Sequence, residues 1–201
     1  MTRRARFLAV LALAGCALGA PPRPPQALYD FGSPAAGNSP HIAVTLAVSR
    51  VAAPEWLESP TLQYRLAYQD ALRYRGYAGS RWVASPAQLL TERLRQAVAQ
   101  VGGRGAGRGT DAVKTDYLLR VELEEFCQVF DSPQASRGVV RARAGLVREG
   151  RVLVAQKIFA VEKPAATADA AGGAEALAGA ADQLVSELVA WTAQSTGGEG
   201  K

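Results

Sequence analysis

Ser85-Pro86-Ala87-Gln88-Leu89-Leu90 decides the fold class. Ser85 is a strong N-cap, Pro86 suits the first helical position, and Gln88 completes a capping box. These residues predict a helix that carries Leu90, Leu94, Ala97 and Val101 at helical spacing, with Leu89 and Val98 beside them. Arg93, Arg95 and Gln96 are expected on its wet side, and Gly102-Gly103 stops it.

Outward from this helix the chain reads as strands. Upstream, His41 to Ala52 alternates Ile42, Val44, Leu46 and Val48 with Ala43, Thr45, Ala47 and Ser49, the period of a strand. Pro54 to Pro60 is a turn bounded by prolines. Thr61 to Tyr68 then places Leu62, Tyr64, Leu66 and Tyr68 on one face, and Tyr74 to Tyr77 adds a short strand before Gly79. Downstream, Asp116 to Asp131 reads as a long strand with Leu119, Val121 and Leu123 opposed to Arg120, Glu122 and Glu124. Phe126 and Phe130 also call for burial, and a bulge near Glu124-Glu125 would restore the phase.

Val139 to Val147 and Val152 to Val161 form a hairpin around Glu149-Gly150-Arg151. Val140, Ala142, Ala144 and Leu146 face its core side, and Arg141 and Arg143 face out. Pro164 to Gly173 is an Ala-rich connector. A last helix starting near Ala174 aligns Leu177, Ala181, Leu184, Leu188 and Trp191. The expected architecture is α/β: a two-layer sandwich in which a mixed, largely antiparallel sheet carries two helices on one face.

The N-terminus has a different logic. Met1 to Arg6 is basic and Phe7 to Leu13 is a short apolar run, the layout of a secretory signal. That run falls well short of the about 20 residues that span a bilayer. Leu13-Ala14-Gly15-Cys16 resembles the lipobox of bacterial lipoproteins, which implies cleavage of residues 1–15 and acylation of Cys16, by palmitate and related chains. An ordinary signal peptide cut near Ala20 is the alternative. Ala17 stands where, in Gram-negative lipoproteins, an Asp favours inner-membrane retention; it resembles the outer-membrane class, lipid-anchored on the periplasmic face. Residues 16–40 read as a Pro-rich lipidated tether, 41–195 as the domain and 196–201 as a disordered tail. Tyr29-Asp30-Phe31-Gly32 interrupts the tether with two aromatics that either dock on the domain or mark its first ordered turn.

The formal charge of +5 is partly a property of the signal. Residues 1–15 hold Arg3, Arg4 and Arg6 and no acid, so the remainder has 20 basic against 18 acidic side chains. A domain-wide basic face, and with it nucleic acid as a partner, is not supported. Tyr and Arg interleaved between Tyr64 and Tyr77 could stack bases, yet at strand spacing they read as half-buried sheet residues. Once Cys16 is acylated Cys127 has no disulfide partner, and it reads as a small buried hydrophobe. His41 is the lone histidine and reads as a bland edge residue, which leaves no Ser/His/Asp constellation. Gly102 to Gly109 lacks the Lys-Ser/Thr of a phosphate loop and follows a helix instead of preceding one. No catalytic residue, metal ligand or cofactor site is expected.

Several pieces in order resemble the ABC-type transport auxiliary lipoproteins, the group that includes PqiC- and YmbA-like proteins. They are Tyr29-Asp30-Phe31-Gly32, Trp56-Leu57-Glu58-Ser59-Pro60 followed by Gln63-Tyr64-Arg65, and Arg81-Trp82-Val83-Ala84-Ser85-Pro86 with Leu89-Leu90. Asp116-Tyr117-Leu118-Leu119 with Phe126 and Phe130 and the closing hairpin and helix follow. The Gly/Arg-rich stretch after the first helix departs from the pattern as a local insertion. The resemblance implies a non-enzymatic envelope protein that accompanies the permease, the ATPase and the mammalian-cell-entry (MCE) type substrate-binding protein of an intermembrane lipid transporter. It would act by docking to those subunits, held at the membrane by its acyl anchor. A homo-oligomer remains open. Arg141 and Arg143 are the candidate partner contacts, against a plain solvated role. The rival reading is a lipoprotein that activates a cell-wall synthase or assists assembly of a secretion complex.

Overall fold

Strand β5, Tyr117–Ser132, holds the architecture together because its two edges serve three other strands. One edge pairs antiparallel with β6, Ala135–Arg148, which pairs antiparallel with β7, Val152–Pro164. The other edge is shared. Its first half takes β2, Leu46–Val48, in parallel, and its second half takes β3, Thr61–Leu66, also in parallel. β3 pairs antiparallel with β4, Tyr74–Trp82, and β1, Ala27–Tyr29, closes the row parallel to β4. The result is one open, mixed seven-stranded sheet whose long ladders are antiparallel. The computed structural model describes residues 25–34, 40–101, 115–149 and 151–197. Cys16 and the stretch Gly102 to Gly109 lie outside them.

Helices α1, Pro86–Val101, and α2, Ala170–Gly197, cover one face of this sheet, giving the expected two-layer α/β fold. The capping box forms: Gln88 N–H donates to Ser85 Oγ at 3.3 Å, and Ser85 N–H donates to Gln88 Oε1 at 3.2 Å. Leu90, Leu94, Leu119, Leu123, Ala142, Leu146, Leu177, Leu184 and Leu188 have no exposed surface. The predicted bulge falls between Leu123 and Glu125 and turns Phe126 into the same core. The β6–β7 turn is where expected, and Glu149 adopts φ 48° there.

Some elements depart from the sequence reading, each for a local reason. Of the strand expected over His41 to Ala52, only β2 is regular, with bridges at Ile42 and Ala52. Side chains take its backbone groups: Thr45 N–H donates to Asp116 Oδ2 at 2.9 Å, and Val51 N–H to Thr91 Oγ1 on α1, also at 2.9 Å. β3 stops at Leu66, where Gln69 and Asp70 N–H turn back onto the Leu66 carbonyl, so Tyr68 is exposed instead of facing the core. β4 runs past Gly79 to Trp82. α2 begins at Ala170, four residues early, because Asp169 caps it through Gly172 N–H at 2.8 Å. Gly172 and Gly173 look like helix breakers in sequence, but Gly173 is there for closeness: a Cβ would meet Gln128 Oε1 at 2.0 Å.

Arg93 is the clearest correction. It was expected on the wet side of α1, yet it is 6% exposed. Its Nη2 donates to the carbonyls of Phe31 and Gly32, each at 2.7 Å, and Nη1 lies 3.1 Å from Asp182 Oδ1 on α2, an ion pair off the hydrogen-bond line. Phe31 is buried beside it, with ring centroids 5.6 Å from Trp82 and 5.8 Å from Phe126. Tyr29-Asp30-Phe31-Gly32 therefore docks: β1 joins the sheet, Phe31 enters the core, and a charged side chain grips the carbonyls behind it.

Candidate docking face

The face of the sheet away from the helices carries the side chains that the core alternation leaves over. On β6, Val140, Ala142, Ala144 and Leu146 are fully buried, and the residues between them, Arg141 and Arg143, are exposed. On β5, Arg120 and Glu122 are exposed opposite Gly145 and Arg143. β7 contributes Leu153 and Ile158, each 57% exposed. The outward placement of Arg141 and Arg143 is as expected from the sequence.

A groove of about 470 Å³ opens on this face toward the β6–β7 turn. Arg50, Arg120, Arg143 and Arg151 rim it over a floor that includes Gly145 and Leu153. Arg143 donates to Glu124 Oε1 at 2.7 Å and Arg50 to Glu58 Oε2 at 2.9 Å, so these two charges are partly neutralised. Arg120 and Arg151 have no ion pair among the described residues. Glu122 is the acid in the lining. The groove thus presents guanidinium donors around a small apolar floor, an arrangement that recognises acidic or carbonyl-rich surfaces. Arg141 stands on the same face but outside the groove lining. Arg120 was legible as an outward strand residue; Arg50 and Arg151 sit beside turns, where no periodicity marks them.

Further along the face, Arg65 on β3 pairs with Glu125 and donates to Tyr74 Oη at 2.7 Å and to Cys127 Sγ at 3.5 Å. Cys127 has no exposed surface, as a small buried hydrophobe should. Burial pushes its thiol up to about 11, against the pull of the Arg65 hydrogen bond. Burial likewise pushes the Tyr74 phenol up to about 12. The cluster is a structural clamp on the β3–β4 turn: it holds protons tightly and offers no activated nucleophile. His41 is exposed, and Trp191 packs edge-on against Phe159 at 5.8 Å on the helix side. Among the described residues no group of His, Cys, Asp and Glu has metal-site geometry, and no helix is long and apolar enough to cross a membrane.

An open mixed sheet with two helices on one face and an arginine-lined groove on the other defines a two-layer α/β domain. The chain belongs to the ABC-type transport auxiliary lipoprotein component family, which matches residues 29–189. Among solved structures it is similar to protein XCC0632 from Xanthomonas campestris, with 20% identity, 86% of this chain and 97% of that one covered, and a TM-score of 0.74. A second, uncharacterized protein shares the fold at 17% identity and a TM-score of 0.63, with 83% and 97% covered. A putative lipoprotein from Caulobacter crescentus is 21% identical over 53% of this chain and 83% of its own, with a TM-score of 0.36. No match was found among curated proteins.

Proposed function

We propose that the protein is a periplasmic lipoprotein, acylated at Cys16 and held on the outer membrane. There it serves as a non-enzymatic docking subunit of an MCE-type intermembrane lipid transporter. The observation that carries the reading is family membership over nearly the whole described domain. The Leu13-Ala14-Gly15-Cys16 sequence supports the anchor. The bare sheet face supports docking, because Arg120 and Arg151 have no acidic partner among the described residues and a second subunit could supply one. Tethering raises the local concentration of the domain, so a weak surface suffices for occupancy. In this reading ATP hydrolysis belongs to the partner ATPase and lipid movement to the permease and MCE protein.

The test is affinity purification of the tagged, acylated protein from envelopes in mild detergent. Recovery of an MCE-type protein or its permease, reduced several-fold by Arg120→Glu with Arg151→Glu, is the expected result. Consistent recovery of a cell-wall synthase or a secretion-pore subunit alone, with unchanged outer-membrane lipid composition in a deletion strain, would overturn it.

A further inference from the structure

We infer that the tip of the β3–β4 hairpin, residues 67–73, rests on the surface of the lipid bilayer and sets the orientation of the domain. The inference uses the Cys16 anchor proposed above and adds a second, protein-made contact with the same membrane. Leu72 is 92% exposed, the barest large apolar side chain among the described residues. Tyr68 and Tyr74 flank it, each 41% exposed. Amphipathic aromatics beside a protruding aliphatic residue suit the boundary between headgroups and acyl chains. Arg73 follows at once, is exposed and has no ion pair among the described residues, so it can meet phosphate.

The turn is built to hold Leu72 out. Asp70 Oδ1 accepts from Leu72 N–H at 3.0 Å, and Arg65 Nη1 donates to the Ala71 carbonyl at 3.3 Å from beneath. Gln69 and Asp70 N–H both return to Leu66 O. The exposure of Leu72 is therefore the outcome of a hydrogen-bonded turn.

Topology says which surface covers the tip. β1 runs parallel to β4 and starts with Ala27 opposite Ser80. The chain before it extends toward the beginning of β4, as Gln26 Nε2 donating to the Ala78 carbonyl confirms. The N-terminal segment thus leaves the domain heading toward the hairpin end of the sheet. From Ser80 back to Tyr74 is at most about 20 Å, and less along the sheet because β4 shifts register there. Nine Cα-to-Cα steps separate Pro25 from Cys16, a reach of at most about 32 Å. The tether is long enough for the tip to touch the membrane with slack to spare. The opposite end, at Tyr117, lies about 26 Å beyond the level of β1, and Pro25 is already on the hairpin side of that level, so the tether reaches that surface only doubled back at full stretch. The arginine-rimmed groove lies toward that far end, so a domain standing on its hairpin turns the groove away from the membrane.

The experiment uses the acylated full chain in phosphatidylethanolamine/phosphatidylglycerol vesicles. An environment-sensitive fluorophore is attached at Leu72→Cys and, separately, at Val152→Cys, the first residue of β7 beside the opposite turn. Vesicle flotation first selects anchored protein, so loss of the anchor reads out as failure to float and is not confused with loss of tip contact. The expected result is a blue-shifted probe at position 72, quenched several-fold more by spin-labelled lipid than the probe at 152. Floated protein whose two probes are equally quenched by aqueous iodide and untouched by spin-labelled lipid would overturn the inference. So would a blue shift at 72 that grows with protein density yet escapes lipid quenching, since that points to a second copy or another protein as the cover.

Discussion

The two faces of strands β5 and β6 are made from alternate residues of the same segments, and they do opposite jobs. Leu119, Val121 and Leu123 with Ala142, Ala144 and Leu146 are sealed under the helices. Arg120 and Glu122 with Arg141 and Arg143, one residue away in each case, meet solvent. Strand period places stability on one face and surface chemistry on the other, without either constraining the other. Substitutions of the sealed leucines, Val121 and the alanines should therefore change folding, and those of Arg120, Glu122, Arg141 and Arg143 should change association alone.

Trp82→Ala tests the covered side most severely. The indole is 1% exposed and packs edge-on against Phe31 and Phe126, so its loss should cost about 3–5 kcal/mol, read from urea unfolding. Arg93→Met comes next. It removes the grip on the Phe31 and Gly32 carbonyls and the ion pair to Asp182, and should cost about 3 kcal/mol, the low end for a broken buried pair because Asp182 keeps 21% exposure. Protease cleavage between β1 and β2 should speed up in that variant; if it does not, Arg93 is not what secures the segment. Ser85→Ala removes the α1 cap for about 1 kcal/mol. Arg141→Ala with Arg143→Ala should move stability by less than about 0.5 kcal/mol per site while partner recovery falls. A large stability loss there would end the division of labour between the faces. Smallest of all, Cys127 should show no reaction with iodoacetamide at pH 8 in the folded protein, because its thiol is sealed and its ionisation lies near 11.

Periodicity made the core legible. The capping box, the bulge before Phe126 and the outward Arg141 and Arg143 could all be read because each depends on neighbours a few residues away. What could not be read depends on distant partners. Arg93 looks like a surface residue until Phe31, 62 residues earlier, brings it carbonyls to hold. The early start of α2 hides behind Gly172 and Gly173, whose purpose is visible only once Gln128 is seen against the helix. The groove needs Arg50 from the segment after β2 and Arg151 from the β6–β7 turn to come together with Gly145, which no local pattern encodes.

The parallel pairing of β1 with β4 has a mechanical consequence. A load applied between an acylated Cys16 and a partner gripping the far end of the sheet would run along the strand axis. The β1–β4 rungs would then be strained together in shear, not opened one at a time as in peeling. Behind those rungs the Phe31 side chain is wedged between Trp82 and Phe126, and Arg93 ties the next two carbonyls to both helices. Tension on the tether would thus enter the domain through a short strand backed by a plug and a cleat, and spread into the whole two-layer body before any single ladder had to yield.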